Sequence, residues 1–372
     1  RSNAMRRRRQ QYFVMSLCLV SRTRSFHMRS ARRRPRRHAA TSATDVDVFS
    51  VAPMMDYTDR PFRYLWRLLS RRSTLYTEMV AANAVVDENG VPRSRETHRA
   101  VEHDDADVGL TVLQLGGAVP AQLGGAARAA RAYGGYAGLN LNVGCPSDRV
   151  AASGCFGAAL MRHPQLVAEC CRAMADAYAD DAAVSVKCRV GVVDTVEELK
   201  KISDERAYDD LASFVQTVAD ESAVRTFVVH ARYAVLSGLS PDKNRQVPPL
   251  RPDLVDRLAR DFPGLNVVYN GVVREYAEAR EKISRLGGVM VGRDACRRPW
   301  HWAAVDTALF SSSKKKTKDV ELIEPDARAS REKALDAALD AVKMKPTIAA
   351  KPQNLSPTVA AKPKPSPTVA AK

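Results

Sequence analysis

The chain has 372 residues, with 58 Lys and Arg against 42 Asp and Glu, giving a formal net charge of +16. The positive excess sits at the ends: residues 1–44 hold 13 arginines and no acid, residues 45–310 hold 32 basic against 35 acidic side chains, and residues 311–372 hold 13 against 7. That length suits one large α/β domain with tails, and the balanced body excludes bulk charge as an argument for nucleic-acid binding, leaving a local basic patch or the tails.

In chain order, residues 1–44 form an Arg-rich, acid-free extension of the composition found in organellar transit segments, so chloroplast or mitochondrion is the expected location and cytoplasm the alternative. The apolar run Tyr12–Val20 offers a secretory signal as a rival, but arginines resume at once and no small-residue cleavage site follows. No run is long enough to span a bilayer. Residues 45–310 then alternate β-rich runs with Ala/Arg/Asp-rich stretches. The spacing predicts strands at Phe49–Ala52, Leu75–Met79, Gly109–Leu115, Gly138–Val143, Ala183–Arg189, Thr226–His230, Asn266–Asn270 and Gly288–Val291. Helices are expected at Pro61–Ser70, Pro120–Tyr133, Pro164–Tyr178 and Pro252–Asp261, each opened by a proline whose missing N–H costs nothing in the first turn. Eight strand–helix units point to a TIM (β/α)8 barrel; a doubly wound sheet is the alternative, but no GxGxxG opens the first helix. Charged residues over Asp194–Asp210 read as an insertion after the fifth strand. Beyond Phe310 the composition shifts to a Lys/Pro/Ala-rich tail, expected to be disordered apart from one helix at Asp326–Met344. It carries three copies of Pro-Thr-Ile/Val-Ala-Ala-Lys, at 346–351, 357–362 and 367–372.

Polar residues recur where the expected strands end, which in such a barrel is the rim that holds the active site. They are Pro53-Met54-Met55-Asp56, Glu78, Gln114, Asn142 with Cys145, Lys187 with Arg189, His230-Ala231-Arg232, Asn270-Gly271 and Gly292-Arg293. The last two pairs suit a phosphate, held by backbone amides and a guanidinium. Gln114 can both donate to and accept from a planar heterocycle, and Lys187 offers a positive charge to the negative locus of a reduced flavin. Cys145, between Gly144 and Pro146, is expected at the mouth of the site. The remaining cysteines, Cys18, Cys155, Cys170, Cys171, Cys188 and Cys296, lack CxxC spacing and read as core filler in a reducing compartment, with no metal site. Singly, each of these residues has a bland reading as packing or solvated charge, which for Lys243 and Arg245 is the stronger one.

The stretches Val51-Ala-Pro-Met-Met-Asp-Tyr-Thr-Asp-Arg60, Leu75-Tyr-Thr-Glu-Met79, Leu113-Gln-Leu-Gly-Gly117, Asn140-Leu-Asn-Val-Gly-Cys-Pro-Ser-Asp-Arg149 and His230-Ala-Arg232 resemble the tRNA-dihydrouridine synthases. Leu236-Ser-Gly-Leu-Ser-Pro241 with Asn244-Arg245 resembles their A-type subfamily, which acts on a D-loop uridine of the 20/20a type. The likeness runs in unbroken order from Val51 to Phe310. It implies FMN on Pro53, Met54, Met55, Gln114, Lys187, His230, Asn270, Gly271, Val272, Gly292 and Arg293, with NADPH as reductant. Hydride would go to uracil C6 and Cys145 would protonate C5 from the opposite face; a thiol titrates near enough to neutrality for that task. Asn142, Lys243 and Arg245 would meet the tRNA, the target base being flipped out of its stack, and the protein would act as a monomer.

Two departures stand out. Val272 occupies a position where the family usually has a second glycine, and the family's tRNA-gripping helical domain is not recognisable in the residues after Phe310. These leave two further readings: a non-catalytic RNA-binding barrel that works through its basic ends, and a flavin-dependent reductase of free pyrimidines.

Overall fold

A computed structural model describes residues 48–93, 101, 110–146, 157–178 and 184–310. The Arg-rich extension, the tail with its expected helix and repeats, and Cys155 lie outside the described residues. Eight strands, β1 (Phe49–Val51), β2 (Thr74–Tyr76), β3 (Thr111–Gly116), β4 (Gly138–Val143), β5 (Val184–Arg189), β6 (Thr226–His230), β7 (Asn266–Asn270) and β8 (Gly288–Val291), pair in parallel in sequence order, and β8 returns to β1. The ring is a closed TIM barrel, as the sequence predicts.

Side chains two apart on a strand share a face. One face packs outward against the helices in a large apolar layer that includes Leu113, Leu115, Leu139, Leu141, Val186 and Phe227. The other face fills the barrel, where Ala52, Tyr76, Val112, Val228, Val268 and Met290 form a small apolar plug. Two residues further along β3, β5, β6 and β7 from the interior layer stand Gln114, Lys187, His230 and Asn270, so the same periodicity that builds the plug sets a polar layer above it.

The helices α1 (Arg60–Leu69), α2 (Pro120–Tyr133), α3 (Pro164–Tyr178), α4 (Asp204–Glu221), α5 (Pro252–Asp261) and α6 (Tyr276–Ile283) surround the ring. The α2, α3 and α5 bounds match expectation, whereas Ser70 caps α1 from outside the helix. Strand two is shorter than its apolar run implies. After Tyr76 the ladder to β3 breaks and resumes at Val80–Ala81, which pair with Leu115–Gly116, so three residues on one strand face two on the other. That one-residue bulge carries Glu78. Within the Asp194–Asp210 stretch Thr195 caps a short helix, Val196–Leu199, and Ser203 caps α4, whose first turn takes Asp204 and Glu205.

Close approach at two glycines fixes the loop after β2. A Cβ on Gly125 of α2 would lie 2.0 Å from Gly90 O, and Gly90 itself has φ +77°. At the other end of the sequence the chain up to Phe310 seals the barrel beside α1. Trp302 lies 5.2 Å from the Phe49 ring and donates its indole N–H to Asp294, Asp306 accepts from Ser70 Oγ and Arg71 N, and the Arg72 guanidinium stands 4.6 Å over Phe310. Among the described residues no helix is long and apolar enough to cross a membrane.

Candidate active site at the carboxyl rim

The polar layer begins as a ladder of amides. Gln114 is buried, and its Nε2 donates to Asn140 Oδ1 at 2.7 Å while its Oε1 accepts from Asn142 Nδ2 at 3.0 Å. Asn140 passes the chain to Ser185 Oγ at 2.9 Å. One N–H and one lone pair of Gln114 remain beyond those bonds, enough to read one donor and one acceptor on a heterocycle.

Cys145 sits in the turn that follows β4, half-buried and in the free thiol form. Four hydrogen bonds hold that turn. Asn142 Oδ1 accepts the backbone N–H groups of both Gly144 and Cys145 at 3.1 Å, Ala158 N donates to Cys145 O, and Arg189 Nε donates to Gly144 O at 3.0 Å. A thiol on a turn whose amides are already bonded has little freedom to wander, as proton delivery to a fixed atom requires.

Positive charge gathers across the remaining strands. Burial, then Arg189, pushes the Lys187 ammonium down to about 8. Burial, then Arg189, Lys187, Arg232 and Arg245, holds the His230 imidazole neutral, well below its ordinary value. Arg293 is also lowered, by burial and then by Arg245 and Arg297, with Asp242 opposing. Mutually repelling cations in a partly dry cleft are costly unless an anion joins them. Lys187 and Arg293 make no hydrogen bond or ion pair among the described residues, and Arg245 Nε is buried without an acceptor. The donor set therefore fits a phosphorylated, negatively charged cofactor.

Backbone shape supports the same end of the site. Gly271 lies over Tyr269, whose Oη would be 2.4 Å from any Cβ there, and Gly292 faces Met54 Sδ of the first loop. Asn270 is anchored by Nδ2 to Met290 O at 2.9 Å. Val272 keeps its N–H but leaves a side chain that is exposed at the rim. In the first loop Thr58 Oγ1 accepts Met54 N, and Asp56, at φ +67°, donates its backbone N–H to Glu78 on the bulge of strand two. Met55 and Tyr57 on either side are more than half exposed.

The structure thus brings Met54, Gln114, Asn142, Cys145, Lys187, His230, Asn270, Gly292 and Arg293 to one rim. Pro53 and Met55 share the first loop; Val272 shares the seventh. Lys243 and Arg245 lie on a 3-10 turn of the sixth loop, Lys243 exposed and Arg245 paired with Asp242 yet near enough to His230 and Arg293 to lower both. The sequence reading gave no role to Asn140, which stands two residues before Asn142 and so on the same face, or to Asn244, whose amide groups are bonded to Val235 and Leu239.

The sequence profile of the Dihydrouridine synthase (Dus) family matches residues 50–345, beyond Phe310, the last described residue. Among curated proteins, the chain is 46% identical over 264 residues to a tRNA-dihydrouridine(20/20a) synthase of Pseudomonas putida, covering 71% of this chain and 72% of that one. A protein of the same name from Salmonella typhi is 43% identical over 285 residues, 76% and 78% of the two chains. The one from Escherichia coli is 45% identical over 267 residues, 71% and 70%.

Proposed function

The chain belongs to the dihydrouridine synthase family, and from that premise we propose that it reduces a D-loop uridine of tRNA, of the 20/20a type, to 5,6-dihydrouridine. The observation that supports this best is the pinned Cys145 turn standing on the same rim as Lys187, His230 and Arg293, with Lys187 and His230 lowered by burial and by neighbouring cations.

FMN, when bound, would supply the hydride for uracil C6, with NADPH as the reductant. Arg293, with the amides of Gly271, Val272 and Gly292, holds its phosphate; Gln114 reads the edge of its ring system; Lys187 places positive charge against it. His230, kept neutral, can offer one N–H or one lone pair to the same group. Cys145 gives its Sγ proton to C5, so that one hydride and one proton together saturate the C5–C6 bond. Asn142 has one N–H beyond the Gln114 bond to offer the base, its oxygen being committed to the turn. Lys243, exposed beside the site, and Arg245 contact the RNA backbone. An extruded base is required, because stacked uracil cannot present its face to a ring inside the barrel mouth.

The deciding experiment is mass mapping of dihydrouridine in tRNA after incubation with the protein, FMN and NADPH. A mass increase of one dihydrogen at a single D-loop uridine is expected; unmodified tRNA with a flavin-loaded protein refutes the reading. Turnover of free uracil or orotate without tRNA would instead favour a reductase of free pyrimidines. The protein is proposed to act as a monomer, with the Arg-rich extension directing it to an organelle.

A further inference from the structure

Arg189 lies at the end of β5, 3% exposed, with its side chain turned into the barrel mouth beside Lys187. Its guanidinium bonds three backbone carbonyls on two separate segments: Nε donates to Gly144 O at 3.0 Å, and Nη1 donates to Tyr233 O and Asn244 O at 3.2 Å each. Gly144 immediately precedes Cys145. Asn244 lies between Lys243 and Arg245 and is itself locked to Val235 and Leu239 by three bonds. Among the described residues no other side chain bonds both segments, and a planar fork can bridge them where a single ammonium cannot.

The charge itself is informative. Neutral carbonyls can be satisfied by a neutral donor, and a buried cation among neutral acceptors is expensive to keep. Burial alone would favour losing that charge, yet the side chain still titrates at about 10 and is cationic in the working range.

We infer that Arg189 is a positioning residue for the proton-delivery step, its guanidinium fixing the Cys145 turn against the sixth loop so that the thiol and the bound RNA keep one relative placement. The inference rests on the function proposed above. It separates the two half-reactions: recharging the flavin needs neither the Cys145 turn nor the sixth loop, whereas uridine reduction needs both.

The test compares the FMN-loaded full chain with Arg189→Lys and Arg189→Met, following flavin bleaching by NADPH and then its reoxidation by tRNA in single turnover. Flavin reduction is expected within about twofold of the parent, and reoxidation by tRNA slower by about tenfold or more in both variants. In parallel, iodoacetamide labelling of Cys145, read by peptide mapping without tRNA or NADPH, should change by about threefold or more. Should Arg189→Met fail to fold, Arg189→Lys decides. Parent-like reoxidation and labelling in Arg189→Lys overturn the inference, and so does loss of flavin binding in that variant, which would make Arg189 a framework residue. A parent that binds FMN but never reduces uridine defeats the proposed function instead, and the labelling arm then judges Arg189 independently.

Discussion

Asn142 and Gln114 share a hydrogen bond of 3.0 Å from Nδ2 to Oε1, which joins the turn bearing the thiol to the side chain assigned to the flavin edge. The same Asn142 accepts both amides that open the Cys145 turn. On the proposed roles, flavin recognition and proton delivery would draw on adjacent residues of one hydrogen-bonded ladder, so a change in one member would be felt by the other.

Replacing Cys145 with Ala is expected to slow uridine reduction by about a hundredfold or more, the usual scale for a general acid. Flavin reduction by NADPH should persist. Stopped-flow traces of each half-reaction check this, and full tRNA-dependent turnover in the variant would take the thiol out of the mechanism. Cys170→Ala serves as a control, since that thiol is buried on α3.

Asn142→Ala removes the acceptor for two backbone amides and one donor to Gln114. A loss of about 1–2 kcal/mol in unfolding free energy is expected, together with slower uridine reduction. Chemical denaturation and single-turnover rates measure the two effects. An unchanged denaturation midpoint would show that the turn is held without Asn142.

Lys187 supplies a pH prediction. Its folded value of about 8 lies below the ordinary 10.5, so between those values the unfolded chain binds more protons than the folded one. Stability of the flavin-free protein should therefore rise with pH across that window. An anionic flavin favours the ammonium, so FMN affinity should fall as pH climbs above about 8. Lys187→Met is expected to bind FMN more weakly near neutrality and to lose that pH-dependent fall. Fluorescence titrations give the answer; parallel pH profiles for variant and parent would remove Lys187 from flavin contact.

Arg293→Ala is expected to weaken FMN binding by about ten- to a hundredfold, the scale of a charge-assisted hydrogen bond to phosphate. Riboflavin, which lacks the phosphate, should bind parent and variant alike. If both ligands weaken equally, the guanidinium is not at the phosphate.

Gly125→Ala tests the fold at a distance from the chemistry. With only 2.0 Å between a Cβ there and Gly90 O, the loop after β2 must shift, at a cost of roughly 1–3 kcal/mol. Thermal melting reads the loss; a variant as stable as the parent would mean that the loop yields freely.

Much of the scaffold is legible in the linear chain. Alternating apolar runs and prolines at helix starts give eight strands and the bounds of α2, α3 and α5, because local periodicity and backbone restriction act over a few residues. The strand-two bulge at Glu78 is not legible, since an apolar run does not reveal where its partner strand drops a residue. The start of α4 is not assigned from the sequence either, although Ser203 and the first-turn acids Asp204 and Glu205 mark a helix start.

The site divides along the same line. By itself the sequence determined the family, the barrel and many of the polar residues at its rim, because motif order and a period of two can be read along the chain. Tertiary structure alone decided the distant contacts: that Asn142 bonds Gln114, that Lys187 and Arg189 stand near enough to His230 to lower it, and that Arg189 spans Gly144 and Asn244. Those contacts join positions tens of residues apart, and only closure of the ring brings β4, β5 and β6 side by side, so no local pattern could encode them. For Cys145 the sequence supplied the thiol, and the fold supplied the bonds that hold it in place.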